Sequence, residues 1–141
     1  MSTTVDVVAS ILVLLKRDAD LMELTKGRIY GCEMPKEEIG HQPRCAVVIR
    51  RSPGLGSFGG FLELEKASMN MFTYGESHAR AEAVRREVSR VLKQATRQVI
   101  NEVLLHSFSP VGSPSASRDP DTDWPYTLSQ WNFMAAEINA Q

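Results

Sequence analysis

The first hydrophobic positions of the chain recur at the spacing of an α-helix. Thr3 or Thr4 can cap the free amide groups at its start, so the pattern predicts a helix over Thr4–Arg17. Its main apolar face consists of Val5, Val8, Ile11, Leu12 and Leu15. Further apolar residues lie on the other face, so we expect the helix to be covered on more than one side.

The next segments alternate between helical and extended patterns. Asp18–Lys26 is predicted to be a short helix that ends at Gly27, because glycine readily takes the left-handed conformation that closes a helix. Arg28–Tyr30 is predicted to be extended. Proline, glycine and acidic residues in Glu33–Pro43 predict a connecting loop.

Two strand patterns flank a glycine-rich stretch. The β-branched residues of Arg44–Arg51 predict one strand, and the period-two alternation of Phe61–Tyr74 predicts a long strand that returns antiparallel to it. One side of the second strand carries Ala67, Met69, Met71 and Thr73; the other carries Ser68, Asn70, Phe72 and Tyr74. Between the two strands, four glycines in Ser52–Gly60 predict a mobile hairpin.

The clearest amphipathic helix follows the second strand. Ser77 can cap its first turn, and Glu76 is favourable near the positive end. Its apolar stripe consists of Ala81, Val84, Val88, Val91, Leu92 and Ala95. Its opposite side consists of Arg80, Glu82, Arg85, Arg86, Glu87, Arg90 and Lys93. The pattern predicts a helix that packs by one face and exposes charge on the other.

The last third of the chain predicts two more strands, Glu102–Ser109 and Tyr126–Met134, with a polar loop over Pro110–Pro125. The order helix, strand, strand, helix, strand, strand is typical of the α+β class. We expect one domain over residues 1–141, with an antiparallel sheet of about four strands, helices packed on it and a long glycine-rich hairpin.

Composition narrows the function classes. The 141 residues are 43% hydrophobic and 23% charged, with a net charge of −1, which is typical of a globular chain and unlike a disordered or membrane-embedded one. Near-neutrality argues against nucleic-acid binding through a broad basic face. Cys32 and Cys45 match no zinc or redox spacing, so we expect reduced thiols, no metal and no cofactor.

Gly54–Gly59 is a literal G-x-G-x-x-G that follows a strand, and it raises the alternative of a small dinucleotide-binding enzyme. In such enzymes the glycines open a helix whose amide groups hold the pyrophosphate. The residues after Gly59 alternate with period two, which favours a strand instead. A small-ligand module with a pocket between sheet and helices is a further alternative.

Asp119, Asp121 and Asp123 have the spacing that opens a calcium loop. The rest of that loop is missing, because Trp124 stands where glycine must allow the turn and Gln130 stands where a bidentate glutamate is required. A solvated acidic turn is the simpler interpretation.

Several short motifs follow one another in a familiar order. They are Asp18–Met22, Gly27–Gly31, the strand near Pro43–Ile49, Tyr74–Glu76, His78–Glu82, Arg118–Asp121 and Trp124. Together they resemble the tail-terminator, or tail-completion, proteins of long-tailed bacteriophages and gene-transfer particles, and the resemblance covers nearly the whole chain.

The resemblance implies a virion protein without catalytic activity. Such proteins form a ring, usually a hexamer, at the head-proximal end of the tail, where the ring ends tail-tube polymerisation and joins the head-tail connector. Expected partners are therefore further copies of the chain, the tail tube protein and the connector. DNA would pass through the lumen without sequence-specific binding, and no membrane is involved. The chain would be in the host cytoplasm during assembly. A head-completion or adaptor protein bound to the portal is the alternative within this class.

A ring requires that one patch meets a different patch on the next copy. Basic residues at Arg85, Arg86 and Arg90 on one side, with Asp119, Asp121 and Asp123 on another, suit such pairing. The other candidate interface residues are the basic pair Arg50 and Arg51 and the aromatic anchors Phe58, Trp124 and Trp131.

Overall fold

The computed structural model describes residues 7–51, 56–57, 65–101, 103–120 and 122–137. The helices are α1 (Val7–Lys16), α2 (Ala19–Thr25), α3 (Lys36–Ile39) and α4 (His78–Gln94). The strands are β1 (Ile29–Gly31), β2 (Ala46–Arg51), β3 (Gly56–Ser57), β4 (Glu65–Tyr74), β5 (Gln98–Ile100), β6 (Val103–Arg118) and β7 (Pro125–Glu137). The α+β class predicted from the sequence is confirmed.

The strands form one sheet in the order β1-β2-β4-β7-β6-β5, and β3 pairs with β4 beside this row. Only β1 and β2 run parallel among the described pairs; the others are antiparallel. The predicted number of about four strands is too low. β1 overlaps the segment Arg28–Tyr30 that was predicted to be extended, whereas β3 and β5, of two and three residues, are too short to show a period-two pattern.

One face of the sheet carries the core. Ala67, Met69 and Met71 of β4 are fully buried, as their alternation predicted, and the apolar stripe of α4 lies against them. From β7 the same core receives Trp131, Phe133 and Ala135, and α1 adds Ile11 and Leu15. The opposite face of β4, with Phe72 and Tyr74, is called the outer face below.

The helix ends follow their capping residues. The carboxylate of Asp18 accepts a hydrogen bond from the Leu21 backbone N–H at 3.0 Å and caps α2. The left-handed residues after α2 are Lys26 (φ 55°) and Gly27 (φ 84°), so the helix ends slightly earlier than predicted. Ser77 caps α4 as predicted, by accepting from the Arg80 N–H at 3.3 Å.

The connection between β1 and β2 was predicted to be a loop, and it contains the short helix α3. Three turn-forming residues surround that helix, which is why no periodic pattern shows in the sequence: Pro35, Gly40 and Pro43. Of the predicted hairpin Ser52–Gly60, only Gly56 and Ser57 are among the described residues, and they pair with Lys66 and Glu65. The remainder of that hairpin, with Phe58, lies outside the described residues.

The prediction of a polar loop over Pro110–Pro125 is wrong for residues 110–118, which belong to β6; the connection to β7 lies between Arg118 and Pro125. β6 continues to Arg118 and pairs with β7 at both of its ends, with irregularities between Leu105 and Ser107 and between Val111 and Ser115. Because β5 pairs only with residues 103–105, the rest of β6 has its one described strand neighbour in β7 and forms a sheet edge. Prolines are tolerated on such an edge, and solvent on both faces removes the hydrophobic alternation that marks a strand.

Candidate interaction surfaces

The arginines on the charged face of α4 have acidic partners within the chain. Arg85 forms a bidentate ion pair with Glu82, whose Oε1 accepts a hydrogen bond from the Arg85 Nε at 2.9 Å. The Nε of Arg86 lies 3.4 Å from Glu82, and the Arg86 side chain is 73% exposed. Glu82 therefore balances two of the predicted interface arginines, and its pKa is lowered chiefly by the hydrogen bond from Arg85.

Arg90 joins α4 to α2. Its guanidinium donates to Asp18 at 2.7 Å and to Glu87 at 2.8 Å, and Asp20 lies 3.9 Å away. These three carboxylates come within 4.8 Å of one another, which is a spacing that could hold a metal ion. Because they converge on one guanidinium nitrogen, Arg90 already supplies the positive charge. The hydrogen bond that Asp18 accepts from Arg90 lowers the pKa of Asp18.

The acidic turn Asp119–Trp124 closes the hairpin of β6 and β7. The Asp119 N–H donates to the Trp124 carbonyl at 2.9 Å, and the Asp123 N–H donates to the Asp119 carbonyl at 2.8 Å. The Asp119 carboxylate accepts from the Thr122 N–H at 3.1 Å, and Arg118 lies 3.6 Å from the Asp123 carboxylate. Asp121 is outside the described residues. Part of the predicted acidic patch therefore shapes the turn itself.

Trp124 extends an aromatic cluster on the outer face of the sheet. Its ring meets Tyr74 edge to face, with centroids 6.2 Å apart, and Tyr126 lies 5.7 Å from both Tyr74 and Phe72. Arg50 stacks over Phe72 at 5.2 Å. The structure thus brings together two predicted interface residues, Trp124 and Arg50, that are far apart in sequence.

Sequence reasoning missed the other members of this cluster. The alternation of β4 had placed Phe72 and Tyr74 opposite the buried methionines, so a signal for them was present. Arg51 is exposed at the end of β2, next to the cluster residue Arg50. An interface role for either arginine stays a prediction.

Trp131 does not lie on the surface, contrary to its prediction as a contact anchor. It is 2% exposed and belongs to the core, where its Nε1–H donates to the Ser129 hydroxyl at 3.3 Å. Its neighbours at period two on β7, Ser129 and Phe133, are buried as well. The alternation of this strand therefore assigns Trp131 to folding.

A buried carboxylate fixes the segment between β1 and β2. Glu38 is 6% exposed and accepts from the Arg44 Nε at 2.6 Å and from the second Arg44 nitrogen at 2.7 Å. It also accepts from Gln42 at 2.8 Å and from the Tyr30 hydroxyl at 3.4 Å. The Arg44 hydrogen bonds hold the pKa of Glu38 below its usual value. The next residue, Ile39, remains 44% exposed.

Between this segment and the acidic turn lies a depression of about 230 Å³ that we call the outer groove. Its apolar lining includes Ile39, Val48, Tyr74 and Trp124, and its acidic side chains are Glu33 and Asp119. Arg50 also lines the groove, and its Nε donates to the Cys32 carbonyl at 2.9 Å. The groove combines an apolar floor with charge at its rim.

The strands on either side of the glycine-rich motif bear on the alternative of a nucleotide-binding site. Most of Gly54–Gly59 lies outside the described residues, but β2 and β4 on either side of it run antiparallel. A dinucleotide-binding unit needs a parallel strand-helix-strand connection, so this topology contradicts that alternative.

Cys45 is buried, which raises the pKa of its thiol, and Cys32 is exposed; both are free cysteines.

Two solved structures have a fold similar to that of this chain. No protein-family model matches the chain, and no curated protein matches it. A chain in the virion of a native gene transfer agent particle is 17% identical, with a TM-score of 0.68 over 91% of this chain and 92% of the other. The gp17 protein of bacteriophage SPP1 is 19% identical, with a TM-score of 0.52 over 93% and 87%.

No helix in the described residues combines the length and apolar character needed to cross a bilayer. The chain shares its fold with a protein of a gene transfer agent virion and with gp17 of bacteriophage SPP1, which confirms, at the level of the fold, the predicted resemblance to proteins of phages and gene-transfer particles.

Proposed function

We propose that this chain is a structural virion protein that forms a ring at the head-proximal end of a phage-like tail. The ring ends polymerisation of the tail tube and offers a surface to the head-tail connector. The observation that carries the proposal is the similarity over 91% of the chain to a protein within an assembled gene transfer agent virion. The order of motifs in the sequence supports the same family.

The surfaces of the chain suit such a role. An aromatic cluster and the outer groove lie on one sheet face, while the other face holds the core. Aromatic side chains at a partly exposed surface are typical of protein contacts. The protein acts through shape and repeated contacts, without a catalytic step.

The proposal is tested by the mass of the purified full chain in solution and by its binding to tail tubes. We expect gel filtration with light scattering to show a closed oligomer, or a monomer that becomes a ring on purified tubes of the same particle. Electron microscopy should show density added at one tube end only. A chain that stays monomeric and does not bind tubes would contradict the proposal. Binding to isolated portal assemblies but not to tubes would favour the head-completion alternative.

A further inference from the structure

The two most exposed large hydrophobic side chains among the described residues lie towards opposite edges of the sheet. Val99 is 56% exposed on β5, the last strand of one edge, and Ile39 is 44% exposed in the segment between β1 and β2 at the other edge. We propose that the β5 edge of one copy docks into the outer groove of the next. This inference rests on the proposed ring and names its subunit contact.

The outer groove is suited to receive a small apolar side chain with basic neighbours. Ile39, Val48 and Trp124 supply an apolar lining, and the two carboxylates Glu33 and Asp119 outnumber the one cation of the lining, Arg50. The groove wall is already ordered, because Glu38 ties its segment to Arg44 and the acidic turn is held by its own backbone hydrogen bonds. A preformed site loses little conformational entropy on binding.

The β5 edge presents the matching features. Exposed Val99 follows the exposed cation Arg97 by two residues, and the exposed Lys93 lies earlier on the chain, in the last turn of α4. β5 is held in place on the side of the core, where Ser10 donates to the Ile100 carbonyl at 3.0 Å and the Arg97 N–H donates to His106 at 3.1 Å. An apolar tip with the cation Arg97 beside it complements an apolar groove in which carboxylates predominate.

The same charges disfavour a symmetric dimer. Two β5 edges brought together would place Arg97 near its own copy, and two outer grooves would bring together carboxylates, Glu33 and Asp119, that outnumber Arg50. Like charges across an interface are repulsive, so the favoured contact joins different patches. A contact between different patches continues from copy to copy and makes a ring when the rotation closes.

Site-directed cross-linking tests the contact. The background is the full chain with Cys32→Ser, which removes the exposed thiol and keeps the buried Cys45. Two differently tagged variants, Val99→Cys and Ile39→Cys, are mixed under mild oxidation. We expect a mixed covalent dimer and little product from either variant alone. Glu23→Cys, whose native side chain is 81% exposed on α2, is the control and should not cross-link with either variant.

Charge reversal gives a second, independent measurement. Arg97→Glu should raise the concentration needed for half-assembly at least about tenfold, because it sets like charges against the groove. Adding Glu33→Arg in the same chain should restore much of the loss. Lys26→Glu, whose native side chain is 61% exposed after α2, is the control and should leave assembly unchanged.

The outcomes separate this contact from the ring itself. If the unaltered chain assembles but the mixed dimer does not form, or Val99→Cys links to itself, the contact is wrong and the ring stands. If Arg97→Glu assembles like the unaltered chain, the contact is likewise overturned. An unaltered chain that never assembles, with or without tail tubes, overturns both proposals.

Discussion

At the scale of single residues, Glu38 shows how one carboxylate can order a connecting segment. It lies almost fully buried and accepts hydrogen bonds from Gln42, Arg44 and Tyr30. A buried charge is tolerated because its partners replace the lost water. The segment that carries Ile39 and one wall of the outer groove therefore depends on this side chain.

Glu38→Gln should lower the free energy of unfolding at neutral pH by roughly 1–3 kcal/mol, because Arg44 loses its charged acceptor. The pKa of Glu38 is lowered in the folded state, so its stabilisation is present above the unfolded value of 4.5 and is lost as the pH falls through the folded value. The difference between variant and unaltered chain should therefore shrink in acid.

Urea unfolding at a series of pH values measures this difference. Glu37→Gln, at the exposed neighbouring position, is the control and should show little change. If the difference in unfolding free energy between Glu38→Gln and the unaltered chain stays constant down to the most acidic pH, the assigned role of the ion pair is contradicted.

The burial of Trp131, also a single-residue property, distinguishes a role in core packing from a role in subunit contact. Trp131→Ala should cost about 3–5 kcal/mol of unfolding free energy, since it removes a large side chain from a packed core. Trp131→Phe should cost less. Thermal and urea unfolding of the monomer measure the effect. Unchanged stability combined with lost assembly would instead support the contact role predicted from the sequence.

At the scale of elements, α4 separates a packing face from a charged face. Val84, Val88 and Leu92 are buried against the sheet, while Arg86 points to solvent. The helix also reaches α2 through the contact between Arg90 and Asp18, which are 72 residues apart in sequence. One helix thereby organises both the core and a surface ion network.

Val88→Asp and Arg86→Asp place the same side chain on the two faces of α4. The first should prevent folding, because an unpaired charge would enter the core. The second should change the free energy of unfolding by less than about 1 kcal/mol, because an exposed ion pair contributes little. Circular dichroism and urea unfolding distinguish them. A folded Val88→Asp chain of normal stability would show that this face is not packed as described.

At the scale of the whole molecule, the sheet has two different edges and two different faces. β5 and its cations lie at one edge, the outer groove lies towards the other, and the core occupies one face. This asymmetry is what a contact between different patches requires. Beyond its pairing with β5, β6 forms a long sheet edge on which prolines limit unwanted strand pairing.

Salt should weaken the assembly if charge pairing steers its subunit contact. Raising the ionic strength from about 0.1 M to about 1 M shortens the Debye length from about 10 Å to about 3 Å. We expect the concentration for half-assembly, measured by light scattering, to rise over this range. The variant Lys93→Gln with Arg97→Gln should assemble less readily and respond less to salt. Equal or stronger assembly of the unaltered chain at high salt would contradict a charged contact.

The elements that the sequence predicted are those with a local hydrophobic period. The stripe of α4 and the alternation of β4 were read correctly because each residue's burial follows from its position on one helix or strand. The cap at Ser77 was also predicted, since capping involves residues three positions apart. These features need no information about the rest of the fold.

Only the tertiary structure decided how distant segments meet. Residues 110–118 of β6 carry no apolar alternation, and their strand exists because β7 pairs with them. The partners of Arg90 and the meeting of Arg50, Phe72 and Trp124 around one surface are likewise set by chain topology. Sequence periodicity records the exposure of each element to solvent, whereas contacts between elements depend on how the sheet and helices are arranged.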